Sequence, residues 1–287
     1  MYSVNVNIID AIINLVNNPI TNITEYYQGR NRANNVGDAL EEYTKDLFAN
    51  SFNMAEGERL RRLSQVFSYL GNSNNPPDAM LFHGDAIEVK KIEGNNSVLA
   101  LNSSYPKQKL FRESQMINNA CRLAENSSWI QKDMIYAVGV TDRNNRLKHF
   151  CMVYGLDYCA NDQVYNRIKN IIKEGVESIP GVDFSETREL GHVNKVDPLG
   201  ITYLRVRGMW GIENPWKVFN YVYERNMQRE FTFMCIINNE KWESLENRDE
   251  LVALEQSIAS LTISNVSIKN PDNPAQLRDA KLIEFSR

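Results

Sequence analysis

The most chemically suggestive side chains lie between Pro77 and Lys91, in the run Pro-Asp-Ala-Met-Leu-Phe-His-Gly-Asp-Ala-Ile-Glu-Val-Lys-Lys. Read as a hairpin turning through His83 to Asp85, this segment pairs Phe82 with Ala86, Met80 with Glu88 and Asp78 with Lys90. Alternate residues of a strand share a face, so Ala79, Leu81, Ile87 and Val89 form an apolar face. Asp78, Glu88 and Lys90 converge on the other. A register one residue off would put Asp78 among the apolar residues, against the hydrophobic pattern. Two carboxylates and an ammonium on one surface suit a hard divalent cation such as Mg2+, which takes oxygen ligands and keeps several waters. Such a cation polarises a phosphoryl oxygen and acidifies a bound water. Lys90 can orient or deprotonate that water and offset charge in the transition state. This is the chemistry of phosphodiester hydrolysis. The plain alternative is a surface salt-bridge cluster; the proline before Asp78 and the clean apolar face weigh against it.

Other elements must position these groups. Residues 8–17 have helical apolar spacing, and Pro19 ends that helix. Residues 20–36 are polar and carry Arg30 and Arg32. A second helix is predicted over 37–50 from the stripe Leu40, Tyr43, Leu47 and Phe48. A third is predicted over 55–70, with Arg59, Arg61 and Arg62 toward solvent. Gly71 to Pro77 reads as a loop. Strands follow at 78–82, 86–92 and 97–102, then a helix over 107–125. Two strands at 133–140 and 147–154 are joined by a turn at Asp142–Asn145. A helix covers 162–178. The last third mixes strands near 201–207 and 231–237 with helices near 215–226 and 245–260. This order predicts an α/β fold with a mixed central β-sheet flanked by helices, not a doubly wound one. No Gly-x-Gly-x-x-Gly or Walker A run is present, so nucleotide-dependent chemistry has no support.

The 287 residues include 43% hydrophobic and 24% charged, close to globular averages, so the chain can bury a sizeable core. A single domain over 1–287 is expected. A net charge of −4 excludes nucleic-acid binding by bulk charge, though not an enzyme with a local basic cleft. No apolar run is long enough for a membrane span. The start, Met1 to Asn5, lacks a basic-then-apolar leader pattern. The four cysteines show no metal-ligand spacing, which predicts no zinc site and a reduced, cytoplasmic setting. Asparagine is over-represented, which we read first as compositional drift.

Pro77-Asp78 followed by Glu88-Val89-Lys90 resembles the PD-(D/E)xK signature of restriction-endonuclease-like nucleases. Longer segments sharpen the match. Asn31-Arg32-Ala33-Asn34 with Gly37–Tyr43, Val66–Asn72, Asn75–Met80, Ala86–Ile92, and Asp197–Thr202 with Leu204–Trp210 resemble the NgoPII family of type II restriction endonucleases, over about residues 8 to 225. The resemblance implies a restriction-endonuclease-like core, catalytic over about 37–155 with DNA recognition and dimerisation contributed by about 190–287, and a Mg2+-dependent enzyme that cuts duplex DNA at a short palindrome, GGCC being typical. It implies 5′-phosphate and 3′-hydroxyl products, a homodimer, and a cognate DNA methyltransferase in the same system. It makes Asp78 and Glu88 metal ligands and Lys90 the catalytic lysine. It adds Glu41, from the helix before the core, as a third carboxylate at the metal, with Glu42 as the rival position. Alternatives are a structure-specific repair or junction nuclease of the same fold, and an inert DNA-binding protein; intact Asp78, Glu88 and Lys90 argue against the latter.

Guanine offers O6 and N7 in the major groove, and arginine pairs with both. Arg205 and Arg207, at i and i+2 of a predicted strand, project from one face and suit two adjacent guanines. A pair of ordinary surface arginines is the alternative. Arg30, Arg32 and the Asn34-Asn35 pair form a second candidate set in a polar segment. Lys91 should point away from the metal, toward a phosphate or solvent. The Arg59, Arg61, Arg62 group suits phosphate contact or helix solvation. His149 and His192 have no partner motif and read as structural, and Trp210 and Trp216 as core or interface aromatics.

Overall fold

A computed structural model describes residues 5–29, 32–33, 35–72 and 75–287. Four helices open the chain: α1 (Ile8–Asn17), α2 (Ile23–Gln28), α3 (Val36–Ala49) and α4 (Glu56–Val66). A meander follows as β1 (Phe67–Asn72), β2 (Asn75–Leu81) and β3 (Ala86–Glu93). After short strands β4 (Leu99–Asn102) and β5 (Lys109–Phe111) and helix α5 (Asn119–Leu123) come the long strands β6 (Gln131–Thr141) and β7 (Leu147–Tyr154). Helices α6 (Gly155–Tyr158) and α7 (Asp162–Glu177) lead to β8 (Asp183–Phe184), β9 (Gly191–Asn194), β10 (Leu204–Val206) and β11 (Trp210–Ile212). The chain ends with α8 (Pro215–Val218), β12 (Thr232–Asn238), α9 (Asn239–Ser244), α10 (Arg248–Ser257) and the hairpin β13 (Leu261–Asn270)–β14 (Asn273–Ser286).

The main sheet runs β1-β2-β3-β6-β7-β12-β14-β13, with β5 added beside β6. It is mixed: β3–β6 and β7–β12 are parallel, and the other neighbours along the path antiparallel. Its central strands are buried on both faces. Ile135, Ala137, Phe150, Met152, Phe233 and Cys235 pack into one core, closed by α1, α3 and α4. Their chain neighbours Met134, Tyr136, Val138, Cys151, Val153 and Met234 pack into a second core beneath α5 and α8. Strands buried on both sides read as continuous apolar runs, as these do. The predicted stripe of α3 is fully inside: Leu40, Tyr43, Leu47 and Phe48 are at most 1% exposed. All four cysteines are buried and free. No described helix is long and apolar enough to cross a membrane.

Several predicted elements differ. The third helix stops at Val66 and the chain continues as β1. A bulge between Phe67 and Tyr69 sends these two residues to opposite cores, so the period-2 signal is lost. The helix predicted over 107–125 is instead β5, a loop and the short α5. The helix predicted near 215–226 is reduced to α8. The β13–β14 hairpin has no counterpart in the predicted elements: its strands are largely exposed and polar, and the alternation of Leu261 and Ile263 changes phase before Val266 and Ile268, which face the other core. The asparagine excess has a structural use: Asn7, Asn35, Asn118, Asn161, Asn214 and Asn238 each cap a helix by accepting a backbone N–H.

Candidate active site

The β2–β3 hairpin turns one residue earlier than expected. Ala79 pairs with Ile87, Met80 with Ala86, and Leu81 N donates to Asp85 O at 2.9 Å. His83, not Gly84, takes the left-handed conformation (φ 53°). The register moves by two residues, which leaves every side chain on its predicted face but sets Asp78 across from Glu88 rather than Lys90. Ala79, Leu81, Ile87 and Val89 enter the first core, and Met80 and Ala86 the second.

Beyond Ala79 and Ile87 the ladder ends, and Asp78 Oδ2 accepts the Val89 N–H at 2.6 Å. Lys90 Nζ donates to Glu88 Oε1 at 2.6 Å. Among the described residues Glu88 Oε2 is buried with no hydrogen-bond partner. Burial, then the negative charge of Glu88, pushes the Asp78 carboxyl up to about 8, against the pull of Lys90. Burial alone would lower the Lys90 pKa, but Glu88 and Asp78 outweigh it and hold the ammonium above its ordinary value. Glu41 lies within electrostatic reach of both Asp78 and Lys90, and burial raises its carboxyl.

Glu42 is committed elsewhere. It accepts from Arg59 at 2.5 Å and from Lys45 at 2.7 Å. Arg59 also donates to Asp46 at 2.8 Å, and Asp46, fully buried, accepts from Tyr27 and Ser51 as well. The reading of Arg59 as a solvent-facing or phosphate-contacting residue is therefore corrected: it is 2% exposed and ties α4 to α3. Arg62 donates to the Ala49 carbonyl. Arg32 is turned inward too, to Glu56 at 2.9 Å and the Met54 carbonyl at 3.1 Å. Arg30 and Asn34 lie outside the described residues. Lys91 pairs with Glu93 at 2.5 Å.

Two backbone approaches shape the site. A Cβ on Gly71 of β1 would sit 2.3 Å from the Pro77 carbonyl oxygen and 3.0 Å from Asp78 Cα. One on Gly155 would meet the Lys107 carbonyl oxygen at 2.2 Å and Gln108 Cα at 2.9 Å. Lys107 itself escaped the sequence reading, which placed it in a helix. Its buried ammonium donates to Ser104 and to the Tyr105 carbonyl, and its backbone N–H to the Tyr136 hydroxyl. Burial lowers its pKa to about 8, opposed first by the charge of Glu88. Lys107 and Glu88 line the same small cavity with Pro76 and Tyr136. Only Pro106, as a helix breaker, hinted at this arrangement.

Arg205 and Arg207 sit apart, on and just after β10 of the small β8–β9–β10 sheet. Both reach Glu189, Arg205 at 2.7 Å and Arg207 at 2.8 Å, with their own side chains about half exposed. His149 is buried against Thr232 (2.7 Å), and burial lowers its pKa to about 4.

The donor set suits a hard cation. Glu88 Oε2 is unpartnered, and Asp78 is a carboxyl that its own surroundings leave reluctant to ionise without added positive charge. Among the described residues no three carboxylate, histidine or cysteine groups form a ready-made cage. A half-site of two carboxylates matches a cation that keeps several waters.

Residues 6–269 match the family model of the NgoPII restriction endonuclease. The type II restriction enzyme NgoPII of Neisseria gonorrhoeae is 61% identical over 279 residues, which covers 97% of this chain and 99% of that protein. No solved structure matches. A relative aligned this closely along nearly its whole length, and a family model spanning both the β2–β3 hairpin and the arginine-bearing β10, lead to one assignment: the chain belongs to the NgoPII restriction endonuclease family.

Proposed function

We propose that this chain hydrolyses phosphodiester bonds of duplex DNA at a GGCC palindrome, as a homodimer, with Asp78, Glu88 and Lys90 as its catalytic groups and Mg2+ as its cofactor. The observation that carries the reading is the orphaned, buried Glu88 oxygen beside Asp78 and Lys90 at the splayed end of one hairpin. Asp78 and Glu88 would hold the cation, with Glu41 as the third carboxylate. When bound, Mg2+ supplies electrophilic pull on a phosphoryl oxygen and acidifies a water. Lys90 stays charged beside its carboxylates, so its part is to donate hydrogen bonds and offset charge on the phosphoryl group rather than to accept a proton. The Val89 N–H fixes the Asp78 carboxylate through one oxygen and leaves the other for the cation.

Arg205 and Arg207 would read guanines. Glu189 holds the two guanidinium groups on one shared carboxylate before DNA arrives, and each could pair with a guanine. A palindrome has two-fold symmetry, which a symmetric dimer matches. A methyltransferase of the same specificity would protect the host's own sites in the cytoplasm. The test is digestion of a sequenced plasmid with Mg2+, followed by mapping of the ends. Cuts at one palindrome with 5′-phosphate ends, lost with EDTA and reduced by about 10²–10³-fold or more in Asp78→Ala, Glu88→Ala or Lys90→Ala, are expected. Cuts that follow DNA shape rather than sequence would favour a junction or repair nuclease.

A further inference from the structure

Helix α7 spans sixteen residues without one buried side chain, yet it carries an apolar stripe. Val164, Ile168, Ile171 and Ile172, spaced i, i+4, i+7 and i+8, are each 41–58% exposed, and Ile179 continues the stripe just past the helix end. The flank next to Ile172 faces the body of the chain, with Tyr165 against Trp210 and Val176 against Gly191. Gly175 lies on the outward stripe. Its backbone is ordinary helix, and a Cβ there would meet nothing within 4 Å. Glycine weakens a helix interior, and no contact among the described residues requires it here. A notch of this kind suits close approach by another helix.

We propose that α7 is the surface through which two copies of this chain associate, the two helices packing antiparallel with Ile168 of each seated at Gly175 of the other. The inference rests on the homodimer reading above and assigns its interface to α7, which precedes the 190–287 region expected to dimerise. The stripe is self-complementary in that register. Val164 falls beside Ile179 of the second copy, Ile168 beside Gly175, and Ile171 beside Ile172. Charge agrees independently. Arg167 and Glu174 lie seven residues apart on the one flank of the stripe that faces solvent, both exposed and neither in an ion pair among the described residues. Two-fold pairing of antiparallel helices brings like flanks together, so Arg167 of one copy meets Glu174 of the other, twice. A duplex would present phosphates to this stripe, which offers mainly isoleucine.

The test measures the mass of the full-length protein by sedimentation and light scattering. Wild type is expected as a dimer and Ile168→Glu as a monomer at the same concentration. Arg167→Glu and Glu174→Arg should each weaken association about tenfold, since two attractions become two repulsions, and the double exchange should restore it. Because these side chains are exposed, folding is not at stake. A second readout is the double variant Ile168→Cys with Gly175→Cys. The two sulfurs stand about 10 Å apart along one helix, too far to bond within a chain, so mild oxidation should give a covalent dimer. The four native cysteines are buried and stay silent. A dimer that persists in Ile168→Glu and does not cross-link overturns the α7 interface and leaves the homodimer reading intact. A wild type that is monomeric both free and on a duplex overturns both. Loss of DNA or anionic-vesicle binding in Ile168→Glu with no change in mass would mean that nucleic acid or lipid covers the stripe, and overturns the proposal.

Discussion

Gly71→Ala should cripple cleavage although Gly71 bears no functional group and lies on β1, outside the β2–β3 hairpin. The added methyl would start 2.3 Å from the Pro77 carbonyl oxygen, where ordinary contact begins near 3.4 Å. Relief therefore needs a displacement of about 1.1 Å, the difference of those two distances. The obstacle is backbone, not the flexible end of a side chain, and Asp78 Cα at 3.0 Å is the next atom in the way. Among the described residues Asp78 holds its carboxylate by a 2.6 Å hydrogen bond from Val89 N–H, so a shift of this size breaks or reorients that bond. Misplacement of a reacting group by about 1 Å costs on the order of 100-fold in rate. Overpacking itself costs about 1–3 kcal/mol of stability. Single-turnover cleavage of a plasmid under saturating Mg2+, beside a melting curve and the control Leu70→Ala at the half-exposed neighbouring position, checks both numbers. Gly71→Ala cutting within a few-fold of wild type would refute the claim that β1 sets the position of Asp78.

Asp78→Asn should stabilise the cation-free protein with a defined pH dependence. The folded carboxyl lies at about 8 and the ordinary value is 3.8, so the wild type's full stability is present below about pH 4 and is lost as pH rises through about 8. The melting-temperature advantage of the variant should widen across that window and narrow when Mg2+ is added; a pH-independent gap would contradict it. Arg59→Ala should lower stability by about 3–5 kcal/mol, measured by urea unfolding, because it strands the buried Asp46 charge; a loss of DNA affinity with stability unchanged would restore Arg59 as a phosphate contact. Arg205→Ala and Arg207→Ala should each cost about 1–3 kcal/mol on cognate duplex in Ca2+ and little on scrambled duplex. Glu189→Gln should raise affinity for both duplexes and blunt the difference, since it frees two cations from their shared carboxylate; parallel losses in all three variants would make this cluster structural.

The groups that share one hairpin were legible from the chain alone. Asp78, Glu88 and Lys90 lie within thirteen residues, and strand alternation assigns their common face whichever of two in-phase registers the turn selects. The doubly buried strands β6 and β7 were legible for the same reason: burial on both faces writes itself as an unbroken apolar run. What depends on contacts distant in sequence was not. That Glu42 is already paired depends on Arg59, which captures it from a neighbouring helix. Arg59 itself looks like a solvated helix residue until Asp46 is placed beside it. Lys107 reaches the wall of the site only because β6 supplies Tyr136 and Gly155 lets a backbone pass within contact. Gly71 reads as loop punctuation, and its real constraint is the nearness of Pro77 and Asp78. Local periodicity is a property of neighbouring residues and survives in the linear chain. Charge pairing and backbone clearance are properties of residues brought together by the folded sheet, and they have no linear signature until it forms.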